Sequence, residues 1–166
     1  MKLVKKLNAL AAGEVGGLTV KDVINVLEQS VETLEEASHE MDDALDYAIE
    51  GALNYAINHF SEFEVLKTRI EEYWLNIDYI PGGTPYEVIP IAAEFIAKWH
   101  RVKKSPIGII KSLACSENWR ERLVAAWYIR DFRGKSLEKE KNLLKKDPFT
   151  DDNDFYLVRE ALQKPK

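Results

Sequence analysis

Residues 106–162 contain one helix-turn-helix pattern written twice, and this repeat limits the possible folds more than any other feature. A shift of 34 positions, without a gap, aligns the two copies. The aligned pairs are Ile109 with Leu143, Ile110 with Leu144, Lys111 with Lys145, Asn118 with Asp152, Leu123 with Leu157 and Val124 with Val158. Tandem units of this length are typical of stacked helical hairpins, because one hairpin cannot bury its own apolar face. The pattern therefore predicts a recognition surface and not a reaction.

Glycine and proline lie at the boundaries between apolar segments, which leaves long stretches with helical periodicity. The 166 residues include only 8 Gly and 6 Pro, and no segment alternates between apolar and polar residues as a strand does. The spacing predicts an all-α fold of about nine antiparallel-packed helices with short connections. The predicted helix starts are Thr19 with Asp22, Ser38, Ser61 with Glu64, Thr84 with Pro85 and Glu87, Ser105 with Pro106, Ser116, Ser136, and Asp151 or Asp152.

Two apolar stripes define the helices of the N-terminal half. The stripe from Val20 to Leu34 predicts one continuous helix. The stripe from Met41 to Phe60 is broader and rich in alanine, and small residues let helices approach closely, so this helix is predicted to be central. The other predicted features are a turn at Pro81-Gly82-Gly83, helix ends at Gly134 and Pro148, and burial of Phe155.

Two segments resemble the second helix of a HEAT repeat, an armadillo-type helical repeat: 118–126 and 154–162. In that family an Asp or Asn before the helix is followed by a Val-Arg pair and then by small apolar residues. Val158-Arg159 fits this pattern, and Glu121-Arg122 fits it in part, because glutamate replaces the apolar residue. Aligning the two arginines gives a period of 37 and not 34. The resemblance implies a right-handed α-α superhelix that binds proteins, or less often nucleic acid, and it supplies no catalytic residues.

The charge of the chain is unevenly distributed. Residues 1–80 have 6 Lys/Arg against 16 Asp/Glu, whereas residues 81–166 have 17 against 12, and the net charge is −5. The chain is predicted to be one helical-repeat domain, 1–166, with an alternative subdivision into an acidic half, 1–80, and a HEAT-like half, 84–166. Such a dipolar molecule steers oppositely charged partners.

The first residues combine lysines with apolar residues, as a secretion signal does. Lys5, Lys6 and Asn8 interrupt the apolar part, so a first amphipathic helix is predicted instead. No apolar run approaches the roughly 18 residues that span a bilayer. The single cysteine, Cys115, cannot form an intramolecular disulfide and fits a reducing compartment, so a cytoplasmic protein is expected. Cys115 itself is predicted to be a small buried side chain.

Enzyme signatures are scarce. The sequence has neither a Gly-rich phosphate loop followed by Lys-Ser/Thr nor a nucleophile elbow. Glu36 and His39 have the E-x-x-H spacing of di-iron bundles, but they span the predicted helix boundary, and neither His59 nor His100 has a glutamate three positions before it. The three histidines could still converge on a metal, although nothing in their spacing requires it. We therefore expect a non-enzymatic protein without a cofactor or metal.

The candidate binding surface is an acidic face around the alanine-rich helix. Its predicted residues are Glu35, Glu36, His39, Asp42, Asp43, Asp46 and Glu50. A concentrated negative face on a small helical protein suits a cationic partner protein. One such role is an inhibitor or immunity protein that covers the basic catalytic cleft of a bacterial nuclease toxin. An acidic solvent face without a partner is the alternative interpretation.

Nucleic-acid binding through the basic C-terminal half is the main alternative function. Its candidate residues are Lys98, Arg101, Lys103, Lys104, Arg120, Arg130 and Arg133. Such groups bind phosphates and release counterions. Against this, the isoelectric point of the chain is about 5.3, whereas a dedicated nucleic-acid binder usually has a strongly basic domain.

Overall fold

A computed structural model describes residues 2–39 and 44–163. Helices hold 70% of the residues, and none of the described residues forms a strand. The all-α prediction is therefore confirmed. The α-helices are α1 Leu3–Ala11, α2 Val20–Glu28, α3 Val31–Ala37, α4 Leu45–Asn58, α5 Phe60–Phe63, α6 Lys67–Arg69, α7 Pro85–Val102, α8 Ile107–Ala114, α9 Trp119–Arg130, α10 Glu138–Leu144 and α11 Leu157–Gln163.

The chain divides into two compact units. The N-terminal unit is Met1–Phe95 and the C-terminal unit is Ile96–Lys166. This boundary lies inside α7, whereas the turn at Pro81-Gly82-Gly83 lies within the N-terminal unit. Pro90 is accommodated inside α7.

Helix α4 is central to the N-terminal unit, as its small residues predict. It packs against α1 and α2 and buries Ala48, Ala52 and Ala56 completely. The approach of α1 is so close that a Cβ on Gly51 would overlap the backbone carbonyl of Leu10. Glycine at this position therefore allows the two helix backbones to meet.

The predicted continuous helix from Val20 to Leu34 is wrong, because the chain breaks between α2 and α3. Thr19 and Asp22 form the expected capping box at the start of α2, with bonds of 3.0 and 3.1 Å. The helix then ends at Glu28, and the backbone of Gln29 is extended. Ser30 begins α3 by accepting a hydrogen bond from the amide of Thr33.

Two aromatic side chains hold this break from a distant part of the chain. A π-helical turn at Ile70–Trp74 carries them. The indole Nε1 of Trp74 donates to the carbonyl of Leu27 at 2.7 Å, and the amide of Val31 donates to the hydroxyl of Tyr73 at 2.6 Å. Backbone groups that the break leaves without helical partners are therefore satisfied by tertiary contacts.

Two predicted serine caps of the N-terminal unit are also wrong. Ser38 ends α3, and its hydroxyl donates to the carbonyl of Leu34 in the preceding turn. Helix α4 begins only at Leu45, after Ala44, which forms no side-chain cap. Ser61 lies inside the short helix α5 and not before a helix, so it forms no capping box with Glu64. Met41, the predicted start of the alanine-rich stripe, lies outside the described residues.

The C-terminal unit contains two helical hairpins, α8–α9 and α10–α11. Helix α9 packs against α8, α10 and α11, and α10 also packs against α8 and α11. Ile110 and Leu144, which the 34-residue shift aligns, are both buried, and their neighbours Ile109 and Leu143 are both exposed. Positions aligned by the shift therefore share the same burial on the first helices of the two hairpins.

The predicted caps of α8 and α9 are also wrong. Ser105 does not cap α8, because its hydroxyl is 2.8 Å from Nδ1 of His100. Ser116 accepts a bond from the amide of Asn118, and Asn118, not Ser116, caps α9 by accepting from the amide of Arg120. These serine side chains therefore form hydrogen bonds with nearby residues and do not form the caps that the local pattern predicts.

The last two helices begin later than the sequence predicts. Helix α9 ends at Arg130, before Gly134, and α10 begins at Glu138 after Leu137, without a cap from Ser136. Asp151 accepts bonds from the amides of Asn153 and Phe155 in the loop before α11. Phe155 therefore lies outside the helix, and it is 55% exposed, not buried as predicted.

Candidate functional site

Three carboxyl groups of the N-terminal unit converge at the start of α4 and the start of α7. Asp46 and Glu50 are one helical turn apart on α4, and Glu87 is in the first turn of α7. One oxygen of each lies within 4.8 Å of the others. We call Asp46, Glu50 and Glu87 the carboxylate cluster.

Burial and mutual repulsion perturb the titration of this cluster. Burial raises the pKa of Glu50 from 4.5 to about 7, and the charges of Glu87 and Asp46 add to this effect. Three effects raise the pKa of Glu87: burial, which is the largest, then the negative charge of Asp46, and then a hydrogen bond with Asp46. All three favour the protonated form of Glu87. The cluster therefore retains protons at a pH at which exposed carboxyl groups have lost them.

The turn before α7 packs directly on the cluster. The amide of Gly83 donates to the carbonyl of Ile80 at 3.1 Å, and this turn brings Gly83 against Asp46. A Cβ on Gly83 would lie 2.6 Å from Cγ and 2.7 Å from Oδ2 of Asp46. The turn predicted as a simple connection therefore covers the most buried of the three carboxyl groups.

The cluster has two chemical capacities. Three carboxylate oxygens at this separation are ligands of the kind that Mg²⁺ and Ca²⁺ prefer. A shared proton is the other way to offset their repulsion.

Sequence reasoning missed Glu87 because it assigned this residue to a capping box with Thr84. Thr84 instead accepts from the amide of Tyr86 at 3.3 Å.

The predicted acidic face is only partly a surface. Asp46 is 5% exposed and Glu50 is half-buried. The prediction that Asp46 lies on an exposed acidic face is therefore wrong. The buried residues Leu45, Ala48 and Ile49 lie within one turn of Asp46 on α4, so this part of the helix is enclosed by the core. Asp42 and Asp43 lie outside the described residues.

The remaining acidic candidates lie on and after α3. Glu36 and His39 are exposed, and Glu35 is half-buried. Glu32, one turn before Glu36, is also exposed, and its carboxylate lies 3.4 Å from the hydroxyl of Tyr73. Within the described part of the chain, neither Glu32 nor Glu36 forms an ion pair. Of the predicted acidic face, the glutamate that the structure describes as exposed, Glu36, is therefore on α3, with exposed His39 just after this helix.

Two of the predicted nucleic-acid-binding cations are used inside the C-terminal unit. Arg101 and Arg130 both pair with Asp131, at 3.6 and 3.1 Å. The guanidinium of Arg130 also lies 4.7 Å from the ring centroid of Trp127. Their charges are therefore partly neutralised within the fold.

The other five predicted cations fall into two groups. Lys98 and Arg120 are half-buried, and the guanidinium of Arg120 lies 5.1 Å from the ring of Trp119. That ring stacks on Phe149 at 3.9 Å. The exposed members of the set are Lys103, Lys104 and Arg133. The seven cations therefore do not form one uniform basic surface.

The charge asymmetry follows the division into units. The N-terminal unit has 6 Lys/Arg against 18 Asp/Glu, a net charge of −12, and the C-terminal unit has 17 against 10, a net charge of +7. In the N-terminal unit, Lys6 pairs with Asp22 and Lys67 with Glu71. Few cations are thus available to neutralise its acidic side chains.

Comparison with protein-family models, curated proteins and solved structures gives no match for the chain. None of the helices in the described part of the chain is both long and apolar enough to cross a bilayer.

Proposed function

We propose that this protein is a non-enzymatic helical-repeat module whose acidic N-terminal unit binds a cationic protein. The proposal includes a cytoplasmic location and the role of an inhibitor or immunity protein that neutralises a basic toxin. The observation that carries it is the net charge of −12 in the N-terminal unit, in which only 6 cationic residues accompany 18 acidic ones. Such a field accelerates the encounter with a cationic partner and disfavours anionic ones.

The contact surface in this proposal is α3 and not the buried start of α4. Glu32 and Glu36 are exposed on consecutive turns of the same helix, so both carboxylates are available to a docked protein. Asp46 and Glu50 contribute less, since burial and proton retention weaken the negative charge that the carboxylate cluster presents.

We further propose that the C-terminal hairpins stack as HEAT-like repeats in a right-handed superhelix. The matched burial of Ile110 with Leu144 supports this proposal. An experimental structure in which α8–α9 and α10–α11 do not superpose would contradict the repeat.

Binding to a panel of purified cationic proteins tests the proposed function. We expect saturable binding at a physiological ionic strength of about 0.15 M that weakens as salt is added. Replacing Glu32 and Glu36 together by lysine should weaken it by about tenfold or more, because the variant places like charges opposite the partner. The matched control replaces Glu62 and Glu72, which are exposed acids elsewhere in the N-terminal unit.

The outcomes separate specific from diffuse attraction. Loss of binding in the α3 variant alone supports the proposed surface. Equal loss in both variants indicates attraction by net charge and contradicts a surface on α3. If no cationic protein binds to the wild type, the proposed function itself is wrong.

Nucleic-acid binding by the C-terminal unit is a second candidate, favoured by its net charge of +7. Exposed Lys103, Lys104 and Arg133 are the cations that this candidate uses. Titration with random duplex DNA at several salt concentrations tests it, because phosphate contacts produce a steep salt dependence. Sub-micromolar affinity at physiological salt would favour this candidate over protein binding.

A further inference from the structure

A cavity of about 220 Å³ lies where α9 leads into α10. Its walls come from the end of α9, the connecting loop and the first turns of α10. The lining residues are Ile129, Phe132, Arg133, Gly134, Lys135, Leu137, Glu138 and Lys141. All of them belong to the C-terminal unit, so the cavity is formed within one compact body.

Cationic side chains outnumber acidic ones in the lining of the cavity. Arg133, Lys135 and Lys141 line it together with one acidic residue, Glu138. Across the described residues, none of these three cations forms an ion pair with a carboxylate. This contrasts with Arg101 and Arg130 of the same unit, which share Asp131. The lining therefore has a formal excess of two positive charges.

The lining of the cavity also includes three apolar side chains. Ile129 and Leu137 are buried, and Phe132 is half-buried with its ring stacked 6.0 Å from that of Tyr128. Gly134 lies directly against the Phe132 ring, since a Cβ on Gly134 would be 2.9 Å from Cε1 and Cζ of that ring. A side chain at Gly134 would thus displace one wall of the cavity.

We propose that this cavity binds a small phosphate monoester. A monoester has a charge of about −1.5 to −2 at neutral pH and several strong acceptor oxygens, which matches the excess of two positive charges. Arg133 offers a planar donor fork and the two lysines offer point charges, both of which suit phosphate. The organic part of the ligand packs on Phe132 and Leu137.

The size of the cavity restricts the ligand to a small molecule. Pockets for drug-sized ligands have volumes of about 300 to 1,000 Å³, whereas this cavity measures about 220 Å³. The acidic residues of α3 belong to the other unit and are unchanged in variants of the cavity, so failure of this proposal and failure of the proposed function are distinguishable.

Calorimetric titration of the full-length protein with phenyl phosphate tests the proposal, and benzoate serves as a monoanionic comparison. We expect saturable binding of phenyl phosphate and weaker binding of benzoate, because the cavity matches a dianion. Lys141→Gln should weaken phenyl phosphate binding by about tenfold, the scale of one charge-assisted hydrogen bond. Lys139→Gln is the matched control, since Lys139 is an exposed lysine of the same helix that does not line the cavity.

Each outcome decides the proposal. Weaker binding in Lys141→Gln with unchanged binding in Lys139→Gln supports the cavity. Equal weakening in both variants overturns it in favour of diffuse charge attraction. Displacement of phenyl phosphate by short duplex DNA at equal phosphate concentration also overturns it, because the cations then belong to a nucleic-acid surface. Absence of saturable phenyl phosphate binding overturns it directly.

Discussion

Arg122 holds Asp147 through two hydrogen bonds, from Nε to Oδ2 at 2.6 Å and from Nη2 to Oδ1 at 3.3 Å. Both side chains are largely removed from solvent. The remaining Nη1 of Arg122 donates to the carbonyls of Ser116 and Glu117 at 3.0 Å. One guanidinium therefore ties the start of α9 to the segment between α10 and α11.

Replacement of Asp147 by alanine should strongly destabilise the protein. The change leaves the guanidinium of Arg122 without its carboxylate partner, and breaking a buried pair in this way costs about 3 kcal/mol or more. Urea unfolding measures the loss of free energy. Asp152→Ala removes an exposed carboxylate from the following loop and should change the free energy of unfolding by less than about 0.5 kcal/mol. Similar effects of the two substitutions would contradict a structural role for this pair.

Replacement of Tyr73 by phenylalanine should destabilise the break between α2 and α3. The variant removes the hydroxyl that accepts from the amide of Val31, which costs about 1 to 3 kcal/mol for a donor left without a partner. Thermal unfolding followed by circular dichroism gives the change. Tyr79→Phe is the matched control, because Tyr79 is 66% exposed. If Tyr73→Phe unfolds at the wild-type temperature, the hydrogen bond does not hold the break.

The same glycine-to-alanine change should have opposite effects at two helical positions. At Gly51 the new methyl group would overlap the carbonyl of Leu10 and push α1 from α4, which costs about 1 to 3 kcal/mol. At Gly108, inside α8, a Cβ meets no atom within 4 Å. Alanine there should stabilise the protein by about 0.5 to 1 kcal/mol through its higher helix propensity. Chemical denaturation measures the change in the free energy of unfolding for both variants. If both changes had the same sign, this would be evidence against the close contact between α1 and α4.

Glu50 should make the stability depend on pH between its ordinary pKa of 4.5 and its folded pKa of about 7. The folded state binds the proton more tightly than the unfolded chain, so the stabilisation is complete below about pH 4.5 and is lost as the pH rises through about 7. Glu50→Gln keeps the neutral form at every pH. Its denaturation midpoint should exceed that of the wild type at about pH 8, and the difference should shrink towards about pH 4.5.

The exposed residue Glu36 provides the control for this pH dependence. Glu36→Gln removes a carboxylate from the surface of α3, outside the carboxylate cluster, and is the matched glutamate-to-glutamine substitution. If the Glu50 variant has the wild-type slope between about pH 5 and 8, the carboxylate cluster does not retain a proton.

Local chemistry in the sequence predicts much of the fold. The capping box of Thr19 with Asp22 needs only residues three apart, and it forms as expected. The alanine-rich stripe of α4 predicts a helix approached closely by others, because small side chains leave room for a neighbouring backbone. Apolar periodicity likewise identifies Leu123 and Val124 as core residues of α9.

The errors arise where distant residues override local preference. The break between α2 and α3 is held by Tyr73 and Trp74, which lie more than forty positions away in the sequence. Ser105 has the sequence context of a cap, but its hydroxyl meets the ring of His100. Hydrogen bonds of this kind depend on packing, and helix periodicity contains no information about them.

The carboxylate cluster could be predicted only in part for the same reason. Asp46 and Glu50 are one turn apart, so the sequence identifies them as neighbours on one helix face. Gly83 approaches Asp46 from the turn before α7, and Glu87 joins the cluster from another helix. An acidic run in a sequence therefore does not reveal which of its members face solvent.

Cys115 follows the last residue of α8, and its side chain is exposed, contrary to the buried position that its small size predicts. It is also the single cysteine of the sequence. A maleimide fluorophore would therefore attach at one known point of the C-terminal unit, without prior mutagenesis. The same thiol can join two copies through a disulfide when oxidised. Titrations of this protein consequently need a reductant, or a labelled thiol, before a change in apparent size is attributed to a partner.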